Sequence, residues 1–151
     1  MSDIDSFIEK LESFANNLSD MIDRTVVNNE DYLITEVLQK RLYDGVTGEG
    51  LSLPEYAPKT IANKIRLNMR YSNMTLTHTG SWYKQMYITS IQGVVEVDSL
   101  DEKTDTLVFR YGESILEFQE VEQQIFVEDV LDPVIQKRID EMVGNIKIEI
   151  A

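Results

Sequence analysis

The chain has no cysteine, one histidine and one tryptophan among its 151 residues. Without cysteine there is no disulfide, no thiol nucleophile and no cysteine-ligated zinc or iron–sulfur centre. Such a composition fits a protein made in a reducing cytoplasm. The single histidine, His78, cannot join a two-histidine metal site, and no Asp or Glu lies within five residues of it. A histidine acting as general base needs a second group to orient it, so the sequence favours a structural or surface role. Three prolines and seven glycines are too few for a low-complexity chain. Apolar runs stop after a few residues, as in Leu107-Val108-Phe109, which predicts no transmembrane helix. Met1-Ser2-Asp3-Ile4-Asp5 is acidic and has no basic start before an apolar stretch, so no secretory leader is expected.

What the chain has in excess is negative charge. Its net charge is −13, unevenly spread. Residues 1–39 carry two bases against nine acids, residues 40–84 seven against three, and residues 85–151 five against fifteen. Acidic ends repel a phosphate backbone, which argues against general nucleic-acid binding. The acid–base–acid order also allows a positive middle to meet the negative end of another copy, although surface charge equally serves solubility.

Periodicity predicts a helix from Asp3 to Arg24, on which Ile4, Phe7, Ile8, Leu11, Phe14 and Leu18 recur at three- and four-residue steps. Asn28-Asn29 interrupts it. A second helix runs from Glu30-Asp31 to Tyr43 and stops at Gly45. Val46–Ala57 reads as a loop with turns at Gly48 and Gly50. Pro58 opens a short third helix reaching Met69. The period then changes. Met86–Asp98 alternates as a strand with a bulge at Gly93, Leu100–Asp105 is its polar connection, and Thr106–Tyr111 is the return strand. Ile115–Phe118 and Ile125–Val127 are ambiguous between strand and helix. Asp132-Pro133 starts a last helix, with Asp132 as cap, that ends at Gly144-Asn145. Ile146–Ile150 alternates as a terminal strand able to pair with a neighbouring subunit. These elements predict one α+β domain over residues 1–151: N-terminal helices, a small mostly antiparallel β-sheet and a C-terminal helix. The helix over residues 1–24 can project from its body.

No reaction centre is evident. Glu117–Glu122 and Glu128-Asp129 with Asp132 crowd carboxylates that could hold a metal or act in hydrolysis, but no calcium-loop spacing is present, and solvated faces are the simpler account. Gly45, Gly48 and Gly50 follow a helix rather than a strand and lack the Lys-Ser/Thr pair of a phosphate loop. Lys59, Lys64, Arg66 and Arg70 lie on or beside the third helix, with Trp82 and Tyr83 after it. They could meet nucleic acid, but an interface with an acidic partner, another copy included, is favoured in so acidic a chain. Trp82 and Tyr83 are candidates for core packing or for interface anchors.

Three pieces of this central segment carry a resemblance: Gly48-Glu49-Gly50 leading to Tyr56, Thr60-Ile61-Ala62-Asn63-Lys64, and Leu76-Thr77-His78-Thr79-Gly80. In order and spacing they resemble small tailed-phage virion morphogenesis proteins of the tail-completion, neck or head–tail joining kind. In those proteins a helical region precedes a Gly-containing turn, a Thr-x-x-x-Lys helix and a Leu-x-x-Thr-Gly step into a sheet. About a third of the chain matches closely and the rest by element order. Where family members carry a Pro/Arg-Phe-Leu stretch, this chain has Gln124-Ile125-Phe126-Val127.

The resemblance implies a structural, non-enzymatic virion component without cofactor. It would form a ring or adaptor between capsid portal and tail. Its implied partners are other copies of itself and the portal, neck or tail proteins, with no sequence-specific nucleic acid and no membrane. Its implied location is the virion, and the host cytoplasm during assembly. Lys59, Lys64, Arg66 and Arg70 would then meet acidic surface, and Trp82 and Tyr83 would support the sheet or the interface. The alternative expectation is a non-viral acidic adaptor or regulatory protein that docks its N-terminal amphipathic helix on a partner. A carboxylate–metal enzyme is the least favoured reading.

Overall fold

The computed structural model describes residues 3–77 and 80–144. Helix α1 spans Asp3–Asn28, and Asn29 makes the turn after it. The helix runs a turn beyond the expected Arg24. β-Branched Thr25 and Val26 disfavour a helix only weakly, and both are buried here. A π-wound helix, Tyr32–Gln39, leads into the α-turn α2, Lys40–Tyr43. Gly45 ends it at φ +78, where a Cβ would stand 2.9 Å from Asn73 Nδ2, so only glycine suits both the turn and the approach. Pro58 opens α3, Pro58–Arg66, shorter than the expected Met69 because Asn68 turns to positive φ.

After the short α4, Ser81–Lys84, strands β1, Met86–Ile91, and β2, Val94–Ser99, pair antiparallel with Ile91 opposite Val94. The hairpin thus turns within the stretch expected to be one strand. Gln92 and Gly93 both have positive φ, +51 and +78, as a two-residue turn of the primed type requires. The expected bulge is that turn, and the expected return strand is helix α5, Thr104–Tyr111. Two signals favour the helix. The Asp101 carboxylate accepts the Lys103 N–H at 2.8 Å, an aspartate turn that leads the chain into the helix. Leu107, Val108 and Tyr111 share one partly buried face at helical spacing.

A 3₁₀ turn, Glu113–Leu116, follows, then α6, Glu120–Phe126, a π-wound turn Val127–Leu131, and α7, Asp132–Gly144. The two ambiguous stretches therefore resolve as helical turn and helix. Asp132 has helical φ/ψ (−58, −45) and is not the expected cap, because the chain enters α7 already helical. A proline inside an α-helix clashes with the carbonyl four residues back. The wider π turn immediately before Pro133 accommodates it. The expected terminal strand, Ile146–Ile150, lies outside the described residues.

The architecture is α+β, helices at both ends around a two-stranded antiparallel sheet. Leu38, Leu42 and Ile115 are fully buried at its centre, with Val26, Trp82 and Ile88 around them. A lone hairpin is marginal in water, and carboxylates from the first helical region hold this one. Asp23 accepts from Ser90 Oγ at 2.6 Å and from the Gln92 and Gly93 amides at 2.8 and 2.9 Å, while Glu30 accepts the Ile88 amide at 3.0 Å. The N-terminal and C-terminal helical regions are joined by Arg41. Its guanidinium ion-pairs with Glu122, donates to Glu117 O at 2.6 Å and donates to Val46 O at 3.2 Å.

Two expectations follow. Arg41→Ala strands the Glu122 carboxylate in a largely buried site and should cost about 3 kcal/mol or more in urea unfolding; a loss no larger than that of an exposed Lys→Ala control would refute this role. The Ser90 hydroxyl, with the Gly93 and Gln92 amides, holds the Asp23 carboxyl below its ordinary 3.8. A depressed carboxyl stabilises fully above its unfolded value, and the gain is lost as pH falls through the folded one. Wild type should therefore lead Asp23→Asn most near neutrality, and the gap should close in strong acid. A gap unchanged down to about pH 2 would contradict this.

Candidate interaction surfaces

The six residues of the central segment do not form one patch. Lys64 is only 6% exposed. Its ammonium lies 4.5 Å from the centre of the Tyr56 ring, an arrangement favoured by the ring's negative face. Burial would push the Tyr56 phenol up, but hydrogen bonds with the Thr75 hydroxyl and amide and with Lys64 outweigh it and bring the phenol below its ordinary value. Trp82 is 3% exposed and donates from Nε1 to Thr104 Oγ1 at 3.1 Å. Tyr83 packs against it with ring centres 5.9 Å apart and donates its hydroxyl to Thr75 O at 2.5 Å. Burial, the larger cause, and the neighbouring Tyr56 and Tyr43 phenols push the Tyr83 phenol up. Lys64, Trp82 and Tyr83 thus secure the monomer's interior.

Arg70 is half committed, 4.8 Å over the Tyr43 ring and 3.5 Å from Asp44. Lys59 and Arg66 stand exposed on α3, seven residues apart and so on one face. Arg66 donates to Asn63 Oδ1 at 2.7 Å, and neither cation has an ion-pair partner among the described residues. Ile65 and Leu67 beside them are more than half exposed. A cleft of about 410 Å³ opens behind this helix, walled by Tyr56, Trp82 and Tyr111 and edged by Lys64, Lys103 and Arg110.

A second, larger groove of about 950 Å³ lies between α1, the hairpin, α5 and α6. Its apolar floor includes Ile22, Val26, Val97, Phe126 and Leu131. Glu96, Asp98, Asp105, Glu113 and Glu117 also line it, and no Lys or Arg does. All five of these carboxylates are exposed, and none is ion-paired among the described residues. Reading residues 106–111 as a strand hides this groove, because only the helix α5 sets Asp105 and Val108 beside the hairpin.

The third surface is the outer half of α1. Ile4, Ile8 and Leu11 are 63%, 45% and 41% exposed in a row. The inner half, with Ile22 and Val26, packs into the body. Among the described residues there is no group of three or more side chains able to hold a metal ion, and no helix long and apolar enough to cross a membrane. His78 lies outside the described residues.

Trp82, the lone tryptophan, reports the packing directly. Its emission in the native monomer should be blue-shifted and poorly quenched by acrylamide, and Trp82→Ala should cost about 3–5 kcal/mol. Solvent-like emission, or quenching as efficient as in urea, would overturn its place in the core.

No protein-family model, curated protein or solved structure matches the chain.

Proposed function

We propose that the protein is a structural component of a tailed-phage virion. In this reading it acts at the neck as a ring or adaptor between portal and tail, and assembles in the host cytoplasm. The observation that carries the assembly role is the uncovered row Ile4, Ile8 and Leu11 on a helix otherwise anchored in the body. Apolar side chains aligned in this way gain free energy only when a second surface covers them. The virion location itself rests on the resemblance of residues 42–90 to neck and tail-completion proteins. The partners in this reading are other copies and the portal, neck or tail proteins. Its chemistry is packing and charge complementarity.

The same row would suit an acidic adaptor docking α1 in one partner's groove. Light scattering and sedimentation of the full chain separate the two. The assembly reading expects a multi-subunit species, and Ile8→Ser/Leu11→Ser should reduce it to monomer with the far-UV spectrum unchanged. A wild-type chain that is monomeric at every concentration favours the adaptor instead.

A further inference from the structure

Resting on the assembly reading, we infer that helix α3 of one copy docks in the acid-rimmed groove of the next, a head-to-tail contact between unlike surfaces. The two surfaces are complementary in charge and in apolar content. Helix α3 contains no acid, and it presents Lys59 and Arg66 with Ile65 and Leu67 beside them, all exposed. The groove contains no base, and it presents five exposed carboxylates around an apolar floor. Among the described residues neither set of charges is neutralised by ion pairs. This matters because three of the chain's other exposed arginines, Arg24, Arg70 and Arg138, do have intramolecular partners, Asp20, Asp44 and Glu141, Arg110 being the exception among the described residues.

Geometry allows the contact to propagate. No residue of α3 lines the groove, so one copy can offer its helix and accept another at the same time. A contact between unlike patches closes into a ring when its rotation closes, and otherwise extends as a filament. A helix of nine residues is about 14 Å long. Lys59 and Arg66, two turns apart on the face away from Lys64, would point into the groove toward its carboxylates, with Ile65 and Leu67 flanking them against its apolar lining. The Lys64 ammonium, held over Tyr56, would stay out of the contact and fix the helix to its own body.

Charge reversal in the full chain tests this. Lys59→Glu/Arg66→Glu alters only the helix, and Asp105→Lys/Glu113→Lys alters only the groove. All four positions are exposed, and far-UV spectra and melting curves check that the variants fold. Each variant alone should self-associate about tenfold or more weakly than wild type. An equimolar mixture should recover association, because reversed helix then meets reversed groove and each native surface still finds its complement. Wild-type association should also weaken as salt rises. Oligomers that form normally in both variants, or a mixture that does not recover, overturn the contact and leave the assembly reading standing. A wild-type chain that never leaves the monomer overturns both.

Discussion

The fold depends on one guanidinium. Arg41 leaves the end of the second helical segment and is satisfied by three acceptors: its own loop at Val46 O, the chain at Glu117 O, and the Glu122 carboxylate. Burial lowers its proton affinity and Glu122 restores part of it, but arginine stays charged at any physiological pH. A buried charge of this kind is tolerable only if it is paired and well hydrogen-bonded. Here the requirement fixes three segments at once. Glu122 also accepts the Gln119 N–H at 2.7 Å, so the carboxylate that neutralises Arg41 begins α6 as well. Gly48 donates its N–H to Ser114 O at 2.7 Å, and a Cβ there would meet Glu117 O at 2.6 Å. The loop after α2 can lie against residues 114–117 only because that position is glycine.

Much of this could be read from the residues alone, and the exceptions have physical causes. Both terminal helices, the loop and α3 follow from period, glycine and proline position. The hairpin turn is not legible in the sequence because Gly93 suits a bulge or a turn equally well. What decides is the pairing of Ile91 with Val94 and an aspartate seventy residues away, Asp23, that caps the turn. Residues 106–111 look like a strand because Val108, Phe109 and Tyr111 favour β structure. The Asp101 turn and the fit of Thr104 under the Trp82 indole override that preference. The basic segment was legible as a charge pattern but not as a surface. Sequence cannot show that Lys64 is buried against Tyr56 while Lys59 and Arg66 stay outside.

The central segment therefore divides its labour within a single helix. One side of α3 is tied to the body through Lys64, Tyr56 and Thr75, and the other is left charged and partly apolar. Using the buried cation to hold the helix costs desolvation, which the aromatic face only partly offsets. The result is a rigid presentation of the exposed pair. A rigid surface loses little conformational entropy on binding.

Helix α1 shows the same division along its length. At about 39 Å it is as long as a small domain is wide. Its inner end supplies Asp23, Val26 and, just beyond it, Glu30 to the hairpin. Its outer end offers an apolar row to solvent. A helix is stiff, so whatever covers the outer row also constrains the end that caps the Gln92-Gly93 turn. Among the described residues the hairpin has no third strand to hold it, and it forms one wall of the acid-rimmed groove. The apolar row and one side of that groove are therefore parts of a single continuous helix, whose inner end Asp23 ties to the hairpin.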